Sequence, residues 1–132
     1  MPLRLSLKPQ ERVIIGGAVV RNGDSRTEIF VENRIPILRE ADILSPSAVK
    51  TPCERVYLAV QLMYVDQEHE TQHRQFYEEL VRDVAEAAPS TKQFLGEVDG
   101  HVSKGEFYQA LKSTKVLLDY EQELLSRGTQ SD

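Results

Sequence analysis

Apolar and polar residues alternate with a period of two through the first third of the chain and recur at helical spacing through the rest. LRLSL (3–7) alternates strictly. ERVII (11–15) follows a Pro9-Gln10 turn, and GAVVR (17–21) runs into Asn22-Gly23-Asp24, residues that tolerate positive φ and suit a hairpin. RTEIFVE (26–32) sets Ile29 and Val31 on one face. PILRE (36–40) begins at Pro36, which suits a strand start because proline cannot donate to a ladder. These five short strands predict a small antiparallel β-sheet or barrel-like domain over residues 1–45.

The segment LSPSAVKTP (44–52) marks a boundary. Thr51-Pro52-Cys53-Glu54 has the form of a capping box with proline at the first helical position. Behind it, Val56, Val60, Met63 and Tyr64 share a helical face that ends near Asp66. A second helix is expected from about Gln67 to Ala88, carrying Phe76, Tyr77, Leu80, Val81 and Val84 and stopped by Pro89. Ser90 with Gln93 is expected to cap a third helix bearing Phe94, Leu95, Val98 and Val102. Gly105 is expected to open a fourth, with Phe107, Tyr108, Leu111, Leu117, Leu118, Leu124 and Leu125 as its apolar stripe, and the terminal GTQSD to fray. The fold class is therefore α+β, with a helical domain of about four helices over 51–128.

Composition agrees with a folded chain: 28% of the 132 residues are charged and 40% hydrophobic. The longest apolar run, VIIGGAVV, is far too short to span a membrane, and no signal-peptide core is present, so a cytoplasmic protein without a membrane role is expected. Cys53 is the single cysteine, which precludes an internal disulfide and points to a structural role. Charge is unevenly divided. Residues 1–50 hold eight Lys or Arg and six Asp or Glu, a balance of +2, whereas residues 51–132 hold eight and fifteen, a balance of −7. A polyanion would be drawn weakly to the first part and repelled by the second.

His69 to His73 read HETQH, the H-E-x-x-H spacing that on a helix can place two imidazoles on zinc. A catalytic site needs a third protein ligand and an open position. His101 is the only other histidine, and Glu97 or Asp99 would have to come from a different polar helix. Polar neighbours throughout EHETQHRQ favour an exposed first turn, so no metal is expected here. Gly16-Gly17 fits neither a P-loop nor a dinucleotide fingerprint and reads as a bend or bulge between strands. No nucleophile has a base nearby in sequence, and neither enzymatic activity nor a cofactor is expected.

MPLRLSLKPQERVIIGGAVVRNGD, VENRIPILREADIL, TPCERVYLAVQLMY and GEFYQALKSTKVLLDYE together resemble the FlbT family of flagellum biosynthesis repressors, over almost the whole chain. The resemblance implies post-transcriptional control of flagellin through the leader of its messenger RNA. KPQERVIIGG, RTEIFVEN and ILREADI also look like the carbon storage regulator family of small RNA-binding β proteins. This chain departs from that pattern at Gln10, where a glycine is usual, and at Ala41, which interrupts an acidic pair. By the second likeness Arg39 and the strand Leu3–Leu7 line an RNA surface, and a homodimer with intertwined strands is implied. Arg4, Lys8, Arg12 and Arg34 join Arg39 as candidate RNA contacts, since guanidinium groups bind phosphate bidentately and stack on bases.

Phe30 is the only aromatic among the first 50 residues, so the usual multi-ring stacking platform is lacking. The alternative is an adaptor that reaches the message through a protein partner of the flagellar system, held by aromatics of the acidic helical domain: Tyr57, Tyr64, Phe76, Tyr77, Phe107 and Tyr108. Most of these are expected in the core.

Overall fold

A computed structural model describes residues 2–130. The chain divides into two compact units, Met1–Ile43 and Leu44–Asp132. The first contains strands β1 (Leu3–Leu7), β2 (Arg12–Ile15), β3 (Ala18–Arg21), β4 (Thr27–Val31) and β5 (Ile37–Arg39).

All pairings are antiparallel, and the strands form two sheets rather than one. β1 pairs with β4, and β2 lies between β3 and β5. The period-two pattern explains the packing. Leu5, Leu7 and Val13 make the buried cluster, with Ile15, Ile29, Val31 and Ile37 packed on it, so alternate apolar residues of the two sheets meet.

The hairpin lies at Gly16-Gly17, not at Asn22-Gly23. Gly16 (φ 58°) and Gly17 (φ 88°) both adopt the positive φ that a two-residue type I′ turn requires, joining Ile15 to its partner Ala18. β3 and β4 do not pair with each other. Asn22 does a different job from the expected turn: its amide donates to the carbonyls of Leu7, Lys8 and Ser25, tying the β1–β2 and β3–β4 connections together. Gln10 has φ 63°, the left-handed conformation that glycine adopts without penalty. Its backbone N–H donates to Gly23 O at 2.9 Å and its side chain to Asp24 at 2.6 Å, which holds it there.

The second unit contains α1 (Pro52–Val65), α2 (Glu70–Ala87), α3 (Lys92–Ser103) and α4 (Phe107–Gln130). Helix α4 packs along α1 and α3, and α1 packs along α2. The capping box is present: Thr51 Oγ1 accepts from Glu54 N–H at 3.1 Å, and Glu54 reaches back to Thr51 N–H at 3.0 Å.

Several expected boundaries shift. Residues Gln67–His69 form a 3-10 turn before α2. Ser90 caps nothing, because Pro89–Thr91 is another such turn and α3 starts after Thr91 without a side-chain cap. Gly105 closes α3 instead of opening α4: at φ 75° it donates to Val102 O, and Glu106 N–H donates to His101 O, a Schellman pair. The backbone of 128–130 continues α4 where fraying was expected; Ser131 and Asp132 lie outside the described residues.

The α4 seam buries Phe107, Ala110, Leu111, Thr114, Leu117 and Glu121, spaced three or four apart as a helix stripe requires. Tyr108 and Leu125, expected in that stripe, are exposed. Thr114 satisfies its hydroxyl by donating to Ala110 O at 2.7 Å. Glu121, though charged, is only 8% exposed. Its carboxylate accepts from Thr51 Oγ1 at 2.5 Å and from Cys53 N–H at 3.1 Å, placing an anion at the N-terminus of α1 where the helix dipole favours one. Burial, with the Glu121 charge beside it, pushes the Cys53 thiol up to about 12. No helix among the described residues is long and apolar enough to cross a membrane.

Replacing Glu121 with Ala strands a buried N–H and removes the partner of the half-buried Thr51 hydroxyl, and should lower stability by about 1.5–3 kcal/mol in urea unfolding. The exposed Glu123→Ala should fall within roughly 0.5 kcal/mol of the parent. Gln10→Gly should raise stability by up to about 1 kcal/mol, because relief of the left-handed strain exceeds the added chain entropy and the loss of one exposed hydrogen bond. A lowered unfolding midpoint would contradict that assignment of strain.

Candidate nucleic-acid interface

The five candidate cations do not form one patch. Lys8, just after β1, and Arg39, at the end of β5, line the same concavity of about 500 Å³ together with Pro9, Glu11, Glu40 and Ala41. Arg4, Arg12 and Arg34 lie outside it.

Arg39 shares its strand face with Ile37 and stands opposite Val13, so its side chain leaves the rim of the buried layer. Nη2 donates to Ser6 O at 2.6 Å and to Glu11 Oε2 at 3.0 Å. The guanidinium thereby links the two sheets while remaining 42% exposed. Glu11 also accepts from Lys8 N–H at 2.9 Å. That backbone donor, followed by Arg39, holds the Glu11 carboxyl below the usual carboxylate range, so Glu11 stays ionised beside Arg39.

The other two paired arginines follow the same pattern. Arg12 stands directly across from Arg21, a like-charge pair that is unfavourable by itself. Glu40 relieves it, lying 3.5 Å from Arg12 Nε and accepting Arg12 N–H at 3.0 Å. Arg4, on the outward face of β1, meets Glu28 of β4 at 3.5 Å. Lys8 and Arg34 are exposed and hold no ion pair among the described residues.

Charge counting along the sequence finds these cations but misses Glu11, Glu28 and Glu40, which offset three of them. The signal that would reveal Glu28 is the β1–β4 register, which sets Arg4 opposite Phe30 and Ser6 opposite Glu28.

A family model described as flagellar protein FlbT matches residues 3–125. The chain belongs to the FlbT family. A probable flagellum biosynthesis repressor of Bradyrhizobium diazoefficiens is 42% identical over 125 residues, covering 94% of this chain and 85% of that protein. A probable repressor of Rhodopseudomonas palustris is 40% identical over 127 residues, covering 96% of this chain and 100% of its own length. A flagellum biosynthesis repressor of Caulobacter vibrioides is 39% identical over 130 residues, covering 95% of this chain and 90% of its own. No solved structure matches the chain.

In this FlbT-family chain HETQH is not a two-histidine face of one helix. His69 lies in the 3-10 turn and His73 in α2, and both turn toward Asp66 at the end of α1. His69 Nδ1 lies 3.0 Å and His73 Nε2 2.9 Å from Asp66 Oδ2, each within hydrogen-bond reach of the carboxylate. Asp66, Glu68 and His69 also form a surface group whose ligand atoms lie within 4.8 Å of one another.

The hydrogen bond and charge of Asp66 raise the His69 pKa, and the two histidines lower that of Asp66. The His69 contribution is complete below its unfolded pKa of about 6.5 and disappears as pH rises through the higher folded value. The Asp66 contribution is complete above its unfolded value and disappears as pH falls through the lower folded one. NMR titration should place the His69 midpoint above 6.5, and Asp66→Asn should bring it back; an unshifted parent midpoint would refute the pairing.

Proposed function

We propose that this FlbT-family protein regulates flagellum biosynthesis after transcription, by binding the leader of flagellin messenger RNA through its β unit and controlling translation or stability of the message. The observation that carries the reading is the match of residues 3–125 to a family whose members are named flagellum biosynthesis repressors. The flagellin leader as target follows from the family resemblance of the sequence. The protein acts in the cytoplasm as a binder, without catalysis, metal or cofactor.

Lys8 and Arg39 are the favoured phosphate contacts, since they share one concavity and Arg39 is held in place by Ser6 and Glu11. Arg4 and Arg12 contribute less, because a phosphate must compete with Glu28 and Glu40 for them. Arg34 is exposed and extends the cationic surface between β4 and β5.

A second reading, an adaptor that reaches the message through a flagellar protein partner, draws on the same pairing and on the helical unit. Tyr57, Tyr77 and Phe107 are buried, but Phe76 and Tyr108 are 40% and 37% exposed. Aromatics left at a surface are enriched in protein interfaces.

Titrating the flagellin leader with purified protein at two salt concentrations separates the readings. Direct binding predicts a log-log salt slope of roughly −0.7 for each single-strand phosphate contact. Lys8→Ala should reduce that slope by about one contact without changing the fold. Arg39→Ala should weaken binding by about 1–3 kcal/mol. No binding at low salt, together with altered flagellin output in cells, replaces direct recognition with the adaptor.

A further inference from the structure

The two-stranded sheet has an outward face that the core does not use. Alternation leaves Arg4 and Ser6 of β1 and Glu28 and Phe30 of β4 pointing away from the buried cluster, with Arg4 directly opposite Phe30 and Ser6 opposite Glu28. Phe30 is 58% exposed, and no other ring lies against it among the described residues. Two arginines lie on the same face. The Arg4 side chain is 69% exposed, and exposed Arg26, just before β4, donates from Nε to Ser6 Oγ at 3.2 Å, which brings a second guanidinium onto the same face. Glu28 is the one carboxylate in that register.

An apolar ring on an open strand, with one guanidinium across from it and a second further along the same face at Ser6, is complementary to a ligand that offers a flat π-face and phosphates together. Single-stranded nucleic acid is such a ligand: bases stack on exposed aromatics, and arginine neutralises the backbone on either side. A duplex keeps its base faces covered by neighbouring pairs. The site has one ring, so it accommodates one unstacked base instead of a run of them.

We propose that the outward face of β1 and β4 is a stacking site for one unpaired nucleotide of single-stranded RNA, with Phe30 taking the base and Arg4 and Arg26 the flanking phosphates. The proposal rests on the RNA-binding reading above and adds a site on the sheet face, outside the Lys8–Arg39 concavity. Glu28 limits it, because its carboxylate occupies Arg4 and repels phosphate.

The chain contains no tryptophan, so Phe30→Trp would introduce a single indole reporter at the site. Addition of the flagellin leader transcript to Phe30→Trp should quench and shift its emission. In anisotropy titrations with the same labelled transcript, Phe30→Ser should bind roughly tenfold more weakly, as loss of one stacked base implies. Phe30→Tyr should bind like the parent, and Glu28→Gln should bind more tightly.

Circular dichroism should be unchanged throughout, since the ring is outside the core. If the transcript binds the parent and Phe30→Ser equally and leaves the indole emission unchanged, the stacking site is refuted while RNA binding stands. If the parent does not bind the transcript at all, both fall. If Phe30→Ser instead lowers the molecular mass measured by light scattering, with RNA affinity unchanged, the face joins two copies of the chain and the proposal is overturned.

Discussion

Two strands bonded only to each other do not hold together in water unless a face is covered. β1 and β4 are in that position, and Leu5 and Leu7 meeting Val13 supply the cover. Much of the β unit follows from this one constraint. With the odd-numbered apolar residues committed inward, Arg4, Ser6, Glu28 and Phe30 can only face outward. Arg39 sits where the buried layer ends, and its guanidinium bridges the sheets through Ser6 O. The candidate RNA contacts are divided by the same geometry that stabilises the unit: one group at the seam between sheets, another on an open face.

The helical unit rests on a different device. Thr51, Cys53 and Glu121 meet across about seventy residues of sequence, and the carboxylate serves both as hydrogen-bond acceptor and as counter-charge to the α1 dipole. A second buried polar group is satisfied in a similar way. Gln61 accepts Leu44 N–H at its Oε1 and donates from its Nε2 to Leu44 O, standing in for a strand partner. The acidic balance of residues 51–132 therefore includes a charge that belongs to folding. Only what remains at the surface is available to a protein partner.

Periodicity made the five strands and four helices legible, because each element has to bury one face and its spacing records which. The capping box at Thr51 could be read directly, since all its parts lie within four residues. Pairing could not be read in this way. Asn22-Gly23 has better hairpin chemistry on paper than Gly16-Gly17, but β4 pairs with β1, where Ile29 and Val31 join Leu5 and Leu7 in the buried layer. Gly105 is ambiguous in sequence because a glycine between two helices suits the end of one as well as the start of the next; the bonds to His101 and Val102 decide for the end of α3. Site residues were least legible. The arginines could be counted in sequence, but the carboxylates that offset them come from distant strands and loops, and alternation sets Phe30 on the opposite face from Ile29 and Val31 without recording whether another element covers that face.

The buried thiol has a practical side. Cys53 is 2% exposed at the start of α1 and its thiol is pushed up to about 12, so both reagent access and thiolate formation are suppressed while the helices are folded. Since it is the chain's only cysteine, one new cysteine at an exposed position could carry a dye or spin label without a cysteine-free background having to be built first. In an unlabelled chain, the rate at which Cys53 becomes reactive would time the opening of the helical unit, with no probe added.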